Sequence, residues 1–218
     1  MQHFYGTIPG WFNCQGVYRE MVRLCPDGGT IVEVGSFMGS STAFLAVEAR
    51  NAGRGLRVVA VDPFVDGWWE DFYLRQAALL PGLDPSLASR PMRECFDELT
   101  APARGLFEVV DQWSVEAASF FAPGSVSCVF VDAFHDEDSV LSDLSAWWPA
   151  FDRGGMGVFG GHDYGFPCPD GVRPAVDKFL GRMGVPFSVV PPDHEDNLLM
   201  DTVKVLDLAP SWVVRGPA

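Results

Sequence analysis

Thr30 to Thr42, T-I-V-E-V-G-S-F-M-G-S-S-T, narrows the folds open to this chain more than any other stretch. Thr30 to Val34 is a short, apolar, mostly β-branched run, the pattern of a strand buried on both faces of a parallel sheet. Gly35 ends it, Gly39 follows four residues later, and Ser40, Ser41 and Thr42 open a segment, Ala43 to Val47, that reads as a helix with hydroxyls near its start. A strand, a glycine turn and a helix in this order place the turn at the carboxyl edge of a parallel α/β sheet. There the missing Cβ atoms are expected to let a ligand approach the backbone, and the helix start offers N–H groups.

The glycine spacing is G-x-x-x-G, with Phe37 where a dinucleotide fingerprint has its second glycine, so a pyrophosphate cradle is not expected. Length fits a single domain, because 218 residues suffice for one α/β core and are few for two. With 15 basic and 29 acidic residues the formal net charge is −14, a surface that repels nucleic-acid backbones and anionic lipid. A small molecule is the expected partner, with no nucleic acid and no membrane, and a homo-oligomer is left open. The five cysteines are scattered, odd in number and form no C-x-x-C pair, which suggests neither disulfides nor a zinc knuckle. The start, M-Q-H-F-Y-G-T-I-P-G-W-F, lacks a basic region followed by an apolar one, and a soluble, cytoplasmic protein is expected.

The remaining chain repeats the strand-to-turn theme. An N-terminal arm and helix, residues 1–28, carries Trp11 and Phe12, read as plugs for the domain's own surface, and Val17, Met21 and Leu24 at helical spacing. Leu56 to Val61 is a second buried strand closed by Asp62, one strand-helix-strand step after Gly35, where a carboxylate can accept both hydroxyls of a ribose. Residues 63–104 exceed a plain crossover and form a helical insertion, with Asp66–Leu80 and Pro91–Leu99 as its helices and Trp68, Trp69 and Phe72 as candidates for an acceptor wall. Leu106 to Val110 is a third strand, ending in Asp111-Gln112-Trp113-Ser114 before a helix at Val115–Phe121.

The densest chemistry follows. V-S-C-V-F-V-D-A-F-H-D, from Val126 to Asp136, is a strand ending in Asp132 with His135 in the next loop, before a helix Glu137–Phe151 buried through Val140, Leu144, Trp147 and Phe151. Asp143 on that helix reads as solvated or capping. Met156–Phe159 is a fifth strand leading into Gly160-Gly161-His162-Asp163-Tyr164. Adjacent strand ends therefore offer Asp132, His135, His162 and Asp163 to one pocket, enough to bind a divalent cation and still leave a base. After a loop and the helix Val172–Met183, short runs at Phe187–Val190, Val203–Leu208 and Trp212–Val214 can supply the last strands. Pro191–Asp201 reads as a surface loop.

The series V-E-V-G-x-x-x-G-x-S-T, V-D-P, V-D-x-x-H-D, D-L-x-x-W and G-H-D-Y resembles a family of small bacterial class I S-adenosylmethionine (SAM)-dependent methyltransferases. These are related to macrolide sugar O-methyltransferases and, more distantly, to catechol and caffeoyl-CoA O-methyltransferases. The resemblance implies a Rossmann-like α/β domain with a seven-stranded, mostly parallel sheet, and O-methylation of a small-molecule hydroxyl. It implies SAM contacts at Glu33, Gly35, Ser36, Gly39, Ser41, Thr42, Asp62, Trp113, Ser114 and Asp132, with the adenine meeting the Trp113-Ser114 turn. It also implies a cation, magnesium or manganese, on Asp132 and Asp163, and His135 as the base. His162 stands where metal-dependent relatives carry an acidic residue. Imidazole suits manganese, iron or zinc better than magnesium, so either the metal differs, or His162 is not a ligand, or no metal binds and both histidines are hydrogen-bonded loop residues of a metal-free enzyme. The alternatives are a hydroxylase-related or a non-catalytic SAM- or nucleotide-binding protein of the same fold. A nicotinamide oxidoreductase would need the glycine pattern that this turn lacks.

Overall fold

The computed structural model describes residues 1–67, 70–79, 84–165, 171–193 and 209–217. The strands are β1 (Thr30–Val34), β2 (Arg57–Val61), β3 (Glu108–Val110), β4 (Cys128–Val131), β5 (Val158–Gly161), β6 (Ser188–Val190) and β7 (Ser211–Arg215). They form one seven-stranded sheet in the order β3-β2-β1-β4-β5-β7-β6. β1 to β5 are parallel, while β7 runs antiparallel to both β5 and β6. The order reverses at β1, and with it the connections move to the other side of the sheet. Ligand sites of open α/β sheets lie at such a switch, outside the carboxyl ends of the strands.

Helices α1 (Gln15–Leu24) and α2 (Ser40–Ala52) cover one face of the sheet, whereas α5 (Ser114–Ala118), α6 (Glu137–Trp147) and α7 (Val172–Met183) cover the other. The alternation of β1 decides which side chains go where: Val32 and Val34 pack with Trp147, Phe159 and Leu180, and Ile31 packs on the opposite face with Tyr18, Phe44 and Phe130. Strands buried on both faces read as unbroken apolar runs, which is why they were visible in the sequence. Helices α3 (Glu70–Leu79) and α4 (Met92–Leu99) lie between β2 and β3, and α4 packs with Met38 and Phe64 through Met92, Cys95 and Phe96.

β5 begins two residues later than its apolar run suggests and continues through Gly160 and Gly161, while Met156 stays exposed. Trp68 and Trp69, the side chain of Phe72, the run Val203–Leu208 and most of the loop 191–201 lie outside the described residues. Among the described residues no helix is long and apolar enough to cross a membrane. The four described cysteines are all buried thiols.

Candidate active site

Four side chains from two neighbouring strand ends meet at the carboxyl edge. Asp132 follows β4, His135 lies in the loop to α6, and His162 and Asp163 follow β5. Asp163 is the hub: its Oδ2 is 3.1 Å from His135 Nε2 and its Oδ1 is 3.4 Å from His162 Nδ1. Asp132 Oδ1 lies 3.8 Å from His135 Nε2. One ligand atom each from Asp132, His162 and Asp163 falls within 4.8 Å of the others. Ligands of one ion bound at about 2.1 Å lie up to about 4.2 Å apart, so the three groups are close enough for a single divalent cation to draw them together.

His135 and Asp163 are both moved from their ordinary pKa values by their neighbours. The neighbouring Asp132, helped by the negative charge of Asp163, raises the His135 pKa above its ordinary value against the opposing effect of burial. Burial alone would push the Asp163 carboxyl up. The His162 hydrogen bond and the charges of His162 and His135 outweigh it and leave Asp163 below the usual carboxylate value. Asp163 also has left-handed backbone, φ 59°. Strain of this kind persists where the surroundings over-determine it, and it gathers at functional sites.

The glycine turn beside this cluster is built differently from the sequence expectation. A Cβ on Gly35 would lie 1.8 Å from the Asp132 carbonyl oxygen, and one on Gly39 would lie 2.3 Å from the Thr100 methyl and 2.9 Å from the Phe96 ring. The space freed by these glycines is therefore filled by the protein's own β4 end and α4. Both also have positive φ, 89° and 91°, which favours glycine independently.

The polar residues of the turn also face inward. Glu33 is fully buried on the face toward α1 and α2, where Oε1 accepts the Tyr18 hydroxyl at 2.7 Å and Oε2 accepts the Thr42 hydroxyl. Burial raises the Glu33 pKa, and bonds from Thr42, Tyr18 and Ser41 act against the rise. Glu33, Ser41 and Thr42 thus join β1 to α1 and α2 instead of facing outward to a cofactor, because a buried carboxylate must be hydrogen-bonded from within. Ser36 is buried, and no hydrogen bond of good geometry engages its hydroxyl.

Asp62 reaches the same turn from β2. Its Oδ2 accepts the backbone N–H groups of Ser36 and Phe37, both at 2.9 Å, and its Oδ1 accepts that of Phe64 at 2.7 Å. With about two acceptor sites per oxygen, Oδ1 keeps room for one further donor, not the two expected for a ribose diol.

At the third turn, Trp113 stands 48% exposed and stacks on Phe134, itself 58% exposed, with ring centres 6.0 Å apart and planes 20° from parallel. Ser114 is engaged elsewhere: its Oγ accepts Trp147 Nε1–H at 3.0 Å and it bonds the Asp143 carboxyl. Asp143 is buried, not solvated, and desolvation pushes its pKa up to about 6. Phe134 and Asp143 carried signals that sequence reasoning passed over. Phe134 lies between Asp132 and His135, and Asp143 shares helical spacing with Val140 and Trp147.

The N-terminal arm contributes a residue that no motif marks. Phe12 is buried as expected, while Trp11 is 40% exposed and lies against Phe37 at 6.0 Å. Between Phe12 and α1, the buried Asn13 places its Oδ1 2.6 Å from His162 Nε2.

Sequence and structure comparisons bear on this geometry. The sequence model of a family described as a methyltransferase domain matches residues 32–164, from β1 to just past Asp163. No curated protein matches the chain. The fold is similar to that of the O-methyltransferase NovP, with a TM-score of 0.59 and 16% identity over 94% of this chain and 79% of that one. It is similar to CalS11, a TDP-rhamnose 3'-O-methyltransferase of calicheamicin biosynthesis, at 0.53 and 16%, covering 92% of this chain and 76% of that one. SMU.1697c from Streptococcus mutans, solved with S-adenosylhomocysteine (SAH), scores 0.55 at 11% identity, covering 95% and 99%. rRNA methylases and a spermidine synthase share the fold as well.

Proposed function

The chain belongs to the methyltransferase-domain family, and from that premise we propose that it carries a methyl group from SAM to a hydroxyl oxygen of a small molecule, with a divalent cation at Asp132, His162 and Asp163 and with His135 as the base. The observation that carries this reading is the convergence of those four side chains at the ends of β4 and β5, next to the turn after β1. A non-catalytic nucleotide-binding domain has no use for such a cluster. The acidic surface, −14 overall, favours a small acceptor over the RNA substrates of other proteins with this fold.

The residues fit both absent groups. For the nucleoside, Asp62 Oδ1 retains room for one hydroxyl donor, and burial, which raises the Asp62 pKa, makes a further donor to the carboxylate favourable. Trp113, past the end of the neighbouring strand β3, offers an exposed indole. For the cation, two carboxylates and an imidazole form a mixed oxygen and nitrogen set that suits manganese, iron or zinc better than magnesium.

When bound, SAM supplies an activated methyl group with its own leaving group, and the cation supplies positive charge that favours the ionised acceptor. The protein must hold the acceptor oxygen in line and take its proton. His135 is placed for the second task. Asp163 and Asp132 stabilise the imidazolium it forms, and its half-exposed ring is open to an incoming hydroxyl. A positioned base of this kind contributes about 10²- to 10⁴-fold.

Calorimetry with SAH and with NAD, together with metal analysis of the purified protein, tests the reading. SAH binding without NAD binding is expected, as is turnover that EDTA abolishes and Mn²⁺ restores. NAD binding in place of SAH would overturn the transferase assignment. Undiminished turnover in EDTA would confine the cluster to acid-base work.

A further inference from the structure

We propose that Asn13 is a positioning residue for the metal site: its side-chain oxygen fixes the tautomer of His162 so that Nδ1, not Nε2, faces Asp132 and Asp163. This rests on the metal reading above and goes beyond it, by giving the N-terminal arm a role in a centre otherwise built from β4 and β5.

The geometry is specific. Asn13 Oδ1 lies 2.6 Å from His162 Nε2, and both residues are buried, with relative exposures of 2% and 4%. An amide oxygen only accepts, so Nε2 is the nitrogen that carries a proton. Nδ1, 3.4 Å from Asp163 Oδ1, then meets the carboxylate either as a second N–H or as a lone pair. A lone pair facing a carboxylate at that distance is unfavourable unless both atoms are ligands of one cation. That is the arrangement of a metal-binding histidine, whose outer nitrogen donates to a fixed acceptor that orients the ring.

The arm holds Asn13 in place. The Asp193 backbone N–H donates to the Asn13 carbonyl oxygen at 2.6 Å, Gly16 N–H donates to Asp193 Oδ2 at 2.5 Å, and Gln15 Nε2 donates to the Phe12 carbonyl at 3.2 Å. Ile8 and Phe12, on the same arm, are buried in the apolar clusters. An acceptor anchored from both sides along the chain can impose one tautomer on the ring it meets.

The test is Mn²⁺ binding to metal-stripped full-length protein, measured by calorimetry, with SAH affinity as the control for folding. Asn13→Leu, close in size but without an acceptor, is expected to weaken Mn²⁺ binding by about 10- to 100-fold, as for other outer partners of metal-bound histidines. Asn13→Asp, which can only accept, is expected to bind Mn²⁺ at least as tightly as wild type. In a His162→Ala background, Asn13→Leu is expected to change Mn²⁺ affinity no further. Equal Mn²⁺ affinity in wild type and Asn13→Leu overturns the inference. So does weakened binding in Asn13→Asp, a result that decides the matter even if Asn13→Leu fails to fold. An equal loss in both His162 backgrounds overturns it as well, since the arm would then act by shape alone. Wild-type protein that takes up no Mn²⁺ overturns the metal reading itself, and the inference falls with it.

Discussion

Asp62 Oδ2 accepts the backbone N–H of Phe37 at 2.9 Å, and Phe37 is held in left-handed backbone, φ 48°. The other oxygen does the same for Phe64, at 2.7 Å and φ 46°. One charged acceptor therefore restrains two residues in a region that costs of order 1–3 kcal/mol each, and ties the end of β2 to the turn after β1. Asp62→Ala is expected to weaken SAH binding by about 10- to 150-fold, the equivalent of about 1.5–3 kcal/mol for charge-assisted hydrogen bonds, and to lower the melting temperature as well. Calorimetry and a thermal melt separate the two effects. Unchanged affinity would remove the ribose assignment, and an unchanged melt would remove the restraint.

Tyr18 and Glu33 predict the opposite balance. The Tyr18 hydroxyl donates to a carboxyl group with no access to solvent, so Tyr18→Phe leaves a buried acceptor short of one donor. A stability loss of about 1.5–3 kcal/mol in urea titrations is expected, with SAH affinity changed less than about twofold. A large loss of affinity at unchanged stability would return Glu33 to the cofactor.

Asp143 makes stability depend on pH. Desolvation pushes its pKa up to about 6 in the folded protein, above the usual aspartate value near 4. As pH rises through this window the unfolded chain releases a proton that the folded chain keeps, so stability falls. At about 1.4 kcal/mol per unit, the loss is of order 3 kcal/mol at neutral pH. Asp143→Asn keeps an acceptor for Ser114 and is expected to be the more stable protein above pH 6, by up to about that amount, with the gap closing below pH 4. Denaturant titrations from pH 4 to pH 8 read this directly. A gap that does not vary with pH would exclude desolvation as its cause.

Trp113→Ala should leave stability within about 0.5 kcal/mol, because the indole is about half exposed. Loss of a ring that stacks on a base should weaken SAH binding by about 1–3 kcal/mol. Parallel SAH titrations of Trp113→Ala and Phe134→Ala show whether the stacked pair acts as a unit. SAH affinity that stays at the wild-type value in Trp113→Ala would mean that the adenine lies elsewhere.

The sheet was legible because buried parallel strands write themselves as apolar runs, and each run ended at a turn that the fold brings to one edge. Asp132, His135, His162 and Asp163 were legible for the same reason, since residues just past neighbouring strands must be close. What sequence could not show was the direction of side chains within a turn. Thr42 and Ser41 sit at a helix start, where a hydroxyl can face outward to a ligand or inward to Glu33, and the choice is made by burial of that carboxylate. Asn13 was invisible because it meets His162 across 149 residues with no spacing to announce it.

The position of β7 has a consequence for how the chain is made. β7 lies between β5 and β6, and among the described residues β6 pairs only with β7. Until residues 211–215 have left the ribosome, β5 has a bare hydrogen-bonding edge, and the strand that leads to His162 and Asp163 is the one left open. At about 5–20 residues per second that interval lasts some seconds, long enough for unpaired edges on neighbouring nascent chains to find each other. Soluble yield should therefore depend more steeply on expression rate than the melting temperature of the finished protein would suggest.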